Sequence, residues 1–136
     1  MNRLSKINQP VAGFGMSTAN VPAGVTFRTS EFPVINGANK TISCKGLFFE
    51  NEAKANNVVD GQLKDKPVML DAYANIGDIP MEGGRKARAL SSVYVTVTAS
   101  FADASEIDTL DKQYALIDAK IAADNGLETA DVTPVV

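Results

Sequence analysis

The sequence predicts an α+β fold: an antiparallel sheet followed by one long helix, with the two segregated along the chain. Two local patterns carry that reading. Residues 93–101 (VYVTVTASF) alternate strictly, Val93, Val95, Val97, Ala99 and Phe101 against Tyr94, Thr96, Thr98 and Ser100, as a half-buried antiparallel strand does. Directly after it, Ile107, Leu110, Tyr114, Ile117 and Ile121 recur every three or four residues, which draws one apolar stripe along a helix of about five turns. At 136 residues with 45% apolar content the chain is one domain's worth of material, read here as 1–24, 25–101 and 103–136.

Taken in order, residues 1–24 hold Pro10, Gly13, Gly15, Pro22 and Gly24 and read as an arm that neighbours would order. Residues 25–28 and 32–35 read as a hairpin or strand pair. Residues 41–49 (TISCKGLFF) form a strand in which Ile42 and Cys44 oppose Thr41, Ser43 and Lys45, with Gly46 as a candidate bulge. Residues 50–66 are rich in Asn, Lys and Asp, as an exposed connection would be. A further strand is expected over 68–76, with Met69, Asp71 and Tyr73 on its polar side. Residues 78–90 read as a loop in which Gly83-Gly84 precedes the densest basic cluster, Arg85, Lys86 and Arg88. The helix has Ser105 or Asp103 as its cap and Asn125-Gly126 as its stop.

Composition removes several chemistries. The chain has no histidine, hence neither the commonest general base nor the commonest metal ligand. Its single cysteine, Cys44, builds neither a disulfide nor a zinc site and reads as a small buried apolar residue. Gly13-Phe14-Gly15 is too short for a dinucleotide fingerprint, and no phosphate-binding loop occurs. No catalytic residues, metal or cofactor are expected, although Asp71, Asp78 or Glu82 leave a carboxylate enzyme formally open. No apolar run follows MNRLSKINQ, and none approaches the roughly 20 residues of a membrane helix, so a soluble protein made in a reducing compartment is expected.

Net charge is −3, but it is unevenly spread. From Asp103 onward eight carboxylates face only Lys112 and Lys120, a net −6, which leaves residues 1–102 at +3. A chain divided this way can turn a repelling face and a mildly attractive one toward phosphate, or simply carry an acidic solvated helix. Tyr94 among the hydroxyls of its strand offers a stacking platform for unpaired bases, or is an ordinary sheet aromatic.

The run VYVTVTASFADASEIDTLDKQYALIDAKIA resembles the last strand and following helix of coat proteins of small single-stranded RNA bacteriophages, the leviviruses. The Cys-bearing strand TISCKG and the Gly-Gly loop before the final strand are similar too. The resemblance implies an N-terminal hairpin, a five-stranded antiparallel sheet, and helices that clasp a partner in an intertwined homodimer, the unit of an icosahedral shell. It places Ile107, Leu110, Tyr114, Ile117 and Ile121 at the dimer interface and Arg85, Lys86 and Arg88 in an inter-subunit loop. Tyr94, Thr96, Thr98, Ser43 and Lys45 would face the packaged single-stranded genomic RNA, and the protein would reside in the virion after synthesis in the host cytoplasm. Two other readings stand beside this one: another phage structural part, such as a decoration or head–tail component, and a single-stranded nucleic-acid-binding domain.

Overall fold

The structure is a computed structural model that describes residues 3–14, 20–74, 76–80, 82–84, 86–90 and 94–136. It is α+β, a curled antiparallel sheet with one long helix against one of its faces. The centre of the sheet is β4 (Thr41–Phe49). One edge of β4 is shared end to end by β2 (Thr26–Thr29) and β3 (Val34–Asn36), and the other edge carries β9 (Val95–Ser100). Beyond β2 lie β1 (Leu4–Ile7) and then β10 (Val132–Pro134), so the two ends of the chain are neighbouring strands.

The alternation expected over 93–101 is borne out along β9, where buried and exposed residues alternate without a break; Val93 lies outside the described residues. The expected partnership of 25–28 with 32–35 is corrected. β2 and β3 do not pair with each other; both pair with β4, the first against residues 46–49 and the second against 41–43. The expected arm is also corrected. Residues 4–7 form a strand flanked on both sides, by β2 and β10, and Ile7, Val11 and Val21 are buried in the core. Antiparallel backbone hydrogen bonds between Val11 and Val21 help hold that segment.

Gly46 is not a bulge, because pairing runs through it in regular register to Thr29 on one side and Val95 on the other. Its missing side chain has a different reason. A Cβ there would collide with the carbonyl oxygen of Arg28 and come within 2.7 Å of the Phe27 ring. Backbone cannot yield cheaply to such a clash, so Gly46→Ala is expected to cost about 1–3 kcal/mol in urea unfolding. Unchanged stability would mean that the strands can move apart at no cost.

The helix α2 (Leu110–Asp124) starts later than the stripe suggested. The side chain of Thr109 caps it by accepting from the Lys112 amide at 3.2 Å. Asp103 and Glu106 instead form a capping box on the preceding 3-10 turn (Ala104–Glu106), where the amides of Ala102 and Asp103 hold the Glu106 carboxyl below its usual range. The helix ends at Asn125-Gly126, as its sequence predicts, with Gly126 at φ 70°.

Tyr114, Ile117, Ile121 and Ala122 of α2 are buried against the sheet's inner face, which presents Ile42, Cys44, Val95, Val97, Phe27 and Phe48 among others. The Phe27 and Phe48 rings lie 4.7 Å apart at its centre. The stripe expected at a dimer interface here packs on its own chain's sheet. Tyr114, Ile117 and Ile121 are 4% exposed or less within their own chain, and Ile107 is packed against the same core. Leu110 alone of the five is exposed.

One polar cluster is sealed into this layer. Arg3 donates from both terminal nitrogens to the Asp118 carboxylate at 3.1 and 2.9 Å, and the Ser5 hydroxyl donates to the same carboxylate at 2.6 Å. The Arg3 guanidinium also lies 4.5 Å above the centre of the Tyr114 ring. Asp118 is therefore not a member of a solvated acidic face but the helix's anchor to β1.

The expected strand at 68–76 is corrected as well. Val68 makes one bridge to Phe48 and Leu70 one to Gly13, after which the chain enters a 3-10 turn, Asp71–Tyr73. Tyr73 stacks on Phe48 at 5.2 Å, and its burial pushes the phenol pKa upward. Residues 76–80 and 86–90 pair as a separate two-stranded ladder of β7 (Ile76–Pro80) and β8 (Lys86–Leu90). The expected loop of 78–90 is to that extent a ladder, with Lys86 opposite Pro80 and Arg88 opposite Asp78; Arg85 lies outside the described residues. Residues 50–66, expected as a plain loop, hold the one-turn helix α1 (Glu52–Ala55) and a small hairpin of β5 (Val58–Val59) and β6 (Gln62–Leu63). Among the described residues no helix is long and apolar enough to cross a membrane.

Candidate functional site: a hydroxyl-lined sheet face

With α2 covering one face, the opposite face is left open over β3, β9 and residues 41–45 of β4, while Leu47 and Phe49 farther along it are buried. Strand register decides which side chains meet there. Ser43 lies opposite Thr98 and Lys45 opposite Thr96 across the β4–β9 ladder, while Val34 of β3 lies opposite Ser43 from the other side. Directly opposed residues in an antiparallel pair point to one face, so these side chains form a continuous patch. The Ser43 and Thr98 hydroxyls share a hydrogen bond at 2.9 Å.

At the end of the patch the Lys45 ammonium sits 4.9 Å from the centre of the Tyr94 ring, which is 49% exposed. A cation over an aromatic face is attracted by the ring's quadrupole. All five residues expected at an RNA-facing site (Tyr94, Thr96, Thr98, Ser43 and Lys45) are thus brought together on one surface. Met69, Asp71 and Tyr73, read as the polar side of a strand over 68–76, are not on the open part of the ladder, since the chain has left strand geometry there.

Beside Tyr94 the sequence reading missed a recess. The hairpin β5–β6 turns through Asp60 at φ 52° and Gly61 at φ 76°, both left-handed, as the tight turn of a two-residue hairpin requires. It sets Val58 and Leu63 across from Tyr94 and Leu47, with Arg28 and Ser30 between, around a cavity of about 160 Å³. The signal was present in the sequence: Asp-Gly flanked by Val58-Val59 and Gln62-Leu63 is a hairpin signature. Arg28 is fixed in place by donating to the Ala55 carbonyl at 2.9 Å.

A larger cavity of about 730 Å³, which shares Arg28 with the first, lies between Arg3, Leu4, Glu52, Leu110 and Tyr114. Its arginine at position 3 is already committed to Asp118. Among the described residues no group of carboxylates and Cys44 is arranged to hold a metal ion. No family model matches the chain, and neither does any curated protein or solved structure.

Cys44 is on the covered face, 1% exposed. Burial raises its thiol pKa to about 11, above the ordinary 9.0. A raised thiol pKa favours the folded state below pH 9, and that advantage is lost as pH climbs from 9 through 11. The native thiol is accordingly expected to resist an aromatic disulfide reagent at pH 8 and to react at once in denaturant. Rapid labelling of the native protein would contradict its burial.

Proposed function

We infer that the chain is a non-enzymatic structural subunit of a bacteriophage particle, of the accessory kind that decorates a shell or joins head to tail. The observation that carries this reading is that α2 spends its apolar stripe on its own sheet. Such a subunit has a finished core and joins others through what remains exposed. That remainder includes Phe32 and, on β3, Val34 and Ile35, each more than two-fifths exposed, and among the described residues β3 pairs with β4 alone. An apolar edge strand of this kind is a ready template for another chain.

A second reading, a coat subunit that packages single-stranded RNA, is favoured by the hydroxyl patch with Tyr94 and Lys45 at its end. The helix α2 of the acidic C-terminal quarter packs on the side away from that patch, which suits a polyanion on the open face. In this reading a two-chain sheet has to form through strand edges, since the helix stripe is not free to clasp a partner. The resemblance of residues 93–122 to coats of single-stranded RNA bacteriophages is what suggests a phage setting.

Electron microscopy and the ultraviolet spectrum of the protein purified from bacteria separate them. Small rings or discrete oligomers with a protein-only spectrum are expected from an accessory part; closed shells absorbing strongly at 260 nm would replace it with the coat. A permanently monomeric protein at high concentration would end both. In the coat reading, Tyr94→Ala weakens binding to single-stranded RNA by about 1–3 kcal/mol, the usual worth of one stacked base. Equal affinity in a filter-binding assay removes Tyr94 from the site.

A further inference from the structure

We propose that Asn36-Gly37, where β3 turns back toward β4, is a self-modifying site at which the Asn36 side chain loses ammonia. The chemistry rests on neither functional reading. The amide nitrogen of Gly37 attacks Asn36 Cγ and the Cγ–Nδ2 bond breaks. Ammonia leaves with the proton that the amide gave up, and a cyclic imide remains. Water then opens the imide at either carbonyl, which gives an aspartate or a chain routed through the former side chain.

The glycine supplies the nucleophile. Gly46 answers to a close backbone approach, and Gly61 and Gly126 to a left-handed φ. Gly37 has neither reason, since its φ is not left-handed and a Cβ there would meet nothing within 4 Å. What its missing side chain does is leave the amide nitrogen unshielded. Among the described residues no acceptor holds that N–H. Asn36 is placed to receive the attack, for it is exposed to water opposite Thr41. Its Oδ1 accepts from the Asn39 amide at 3.1 Å, which folds the carboxamide over the turn that Gly37 begins. A donor on that oxygen also steadies the negative charge that gathers there as Cγ is attacked.

Asn125-Gly126, the same dipeptide at the end of α2, is the opposite case. The Gly126 amide donates to the Ala123 carbonyl at 3.1 Å, and Asn125 Nδ2 donates to the Ile121 carbonyl at 2.8 Å. Nucleophile and leaving group are both tied down. Breaking those bonds first should slow that site by about tenfold or more. One turn therefore primes the reaction and the other holds it back. Conversion at position 36 leaves a carboxylate beside Val34 and Ile35, so the end of an apolar edge becomes anionic.

The test is peptide mass spectrometry of the full chain aged in mildly alkaline buffer, native and in denaturant. In the native protein the peptide holding Asn36 should gain the mass difference between an amide and an acid about tenfold or more faster than the peptide holding Asn125. In denaturant the two rates should draw together. Gly37→Ala, for which the turn has room, should slow conversion at Asn36 by about tenfold or more and leave the urea midpoint unchanged. If Asn36 stays an amide through native ageing long enough to convert it in denaturant, the proposal is wrong. It is equally wrong if Asn125 converts in the native protein as fast as Asn36.

Discussion

Ile117→Asp is expected to abolish the folded state. Ile117 is 1% exposed between α2 and the sheet, in one cluster with Ile42, Val97 and Ile121. Truncating such a side chain costs about 2–5 kcal/mol, and an unpaired carboxylate in its place adds several more. The sum approaches or exceeds the 5–15 kcal/mol that holds a typical domain together. Circular dichroism of the purified variant should show the loss of cooperative unfolding. A variant that stayed folded as a dispersed subunit would show that the helix stripe belongs at an intermolecular seam after all, and would restore the clasped dimer.

Asp118→Ala should be the next most damaging change at a single side chain. It removes the acceptor for both Arg3 and Ser5 and leaves a guanidinium facing the Tyr114 ring with no counter-ion. Breaking a buried pair from one side costs about 3–5 kcal/mol. Because the Arg3 side chain keeps 21% of its surface in water, the lower figure, about 3 kcal/mol, is expected in urea titration. Replacing both partners, Arg3→Met with Asp118→Leu, should recover most of that loss, since the desolvation of two charges disappears together. A single-variant loss below about 1 kcal/mol would reduce the contact to a surface ion pair.

What was legible in the sequence is what depends on neighbours along the chain. The strands at 41–49 and 95–100 and the helix after 109 show their period within ten or fifteen residues, and each formed where its pattern lay except that the helix begins after Ile107 of its stripe. β1 and β10 were hidden for the opposite reason. They are four and three residues long, too short for a period, and each is stabilised by a partner from the far end of the chain. The 68–76 segment alternates on paper, but Asp71, Ala72 and Ala74 supply little strand preference, and a 3-10 turn wins.

The candidate site divides in the same way. Alternation assigned Ser43, Lys45, Tyr94, Thr96 and Thr98 to polar faces, whereas only the β4–β9 register could place them side by side. Asp118 was counted with the acids of a solvated helix. Yet it falls four residues after Tyr114 and three before Ile121, and so on the buried stripe, where a carboxylate demands a cation.

The pairing of β1 with β10 has a mechanical consequence. Ser5 stands opposite Pro134, and the amide of Val135 donates to the Leu4 carbonyl, so tension applied at the two ends of the chain would load this ladder from one extremity. Its bonds would then break one after another, as a zipper opens, and never in parallel as in a sheared clamp. Once β1 peels away, Arg3 leaves with it and α2 loses its tether at Asp118. Pulled from its termini, the molecule yields at its weakest seam first, and its core opens from there.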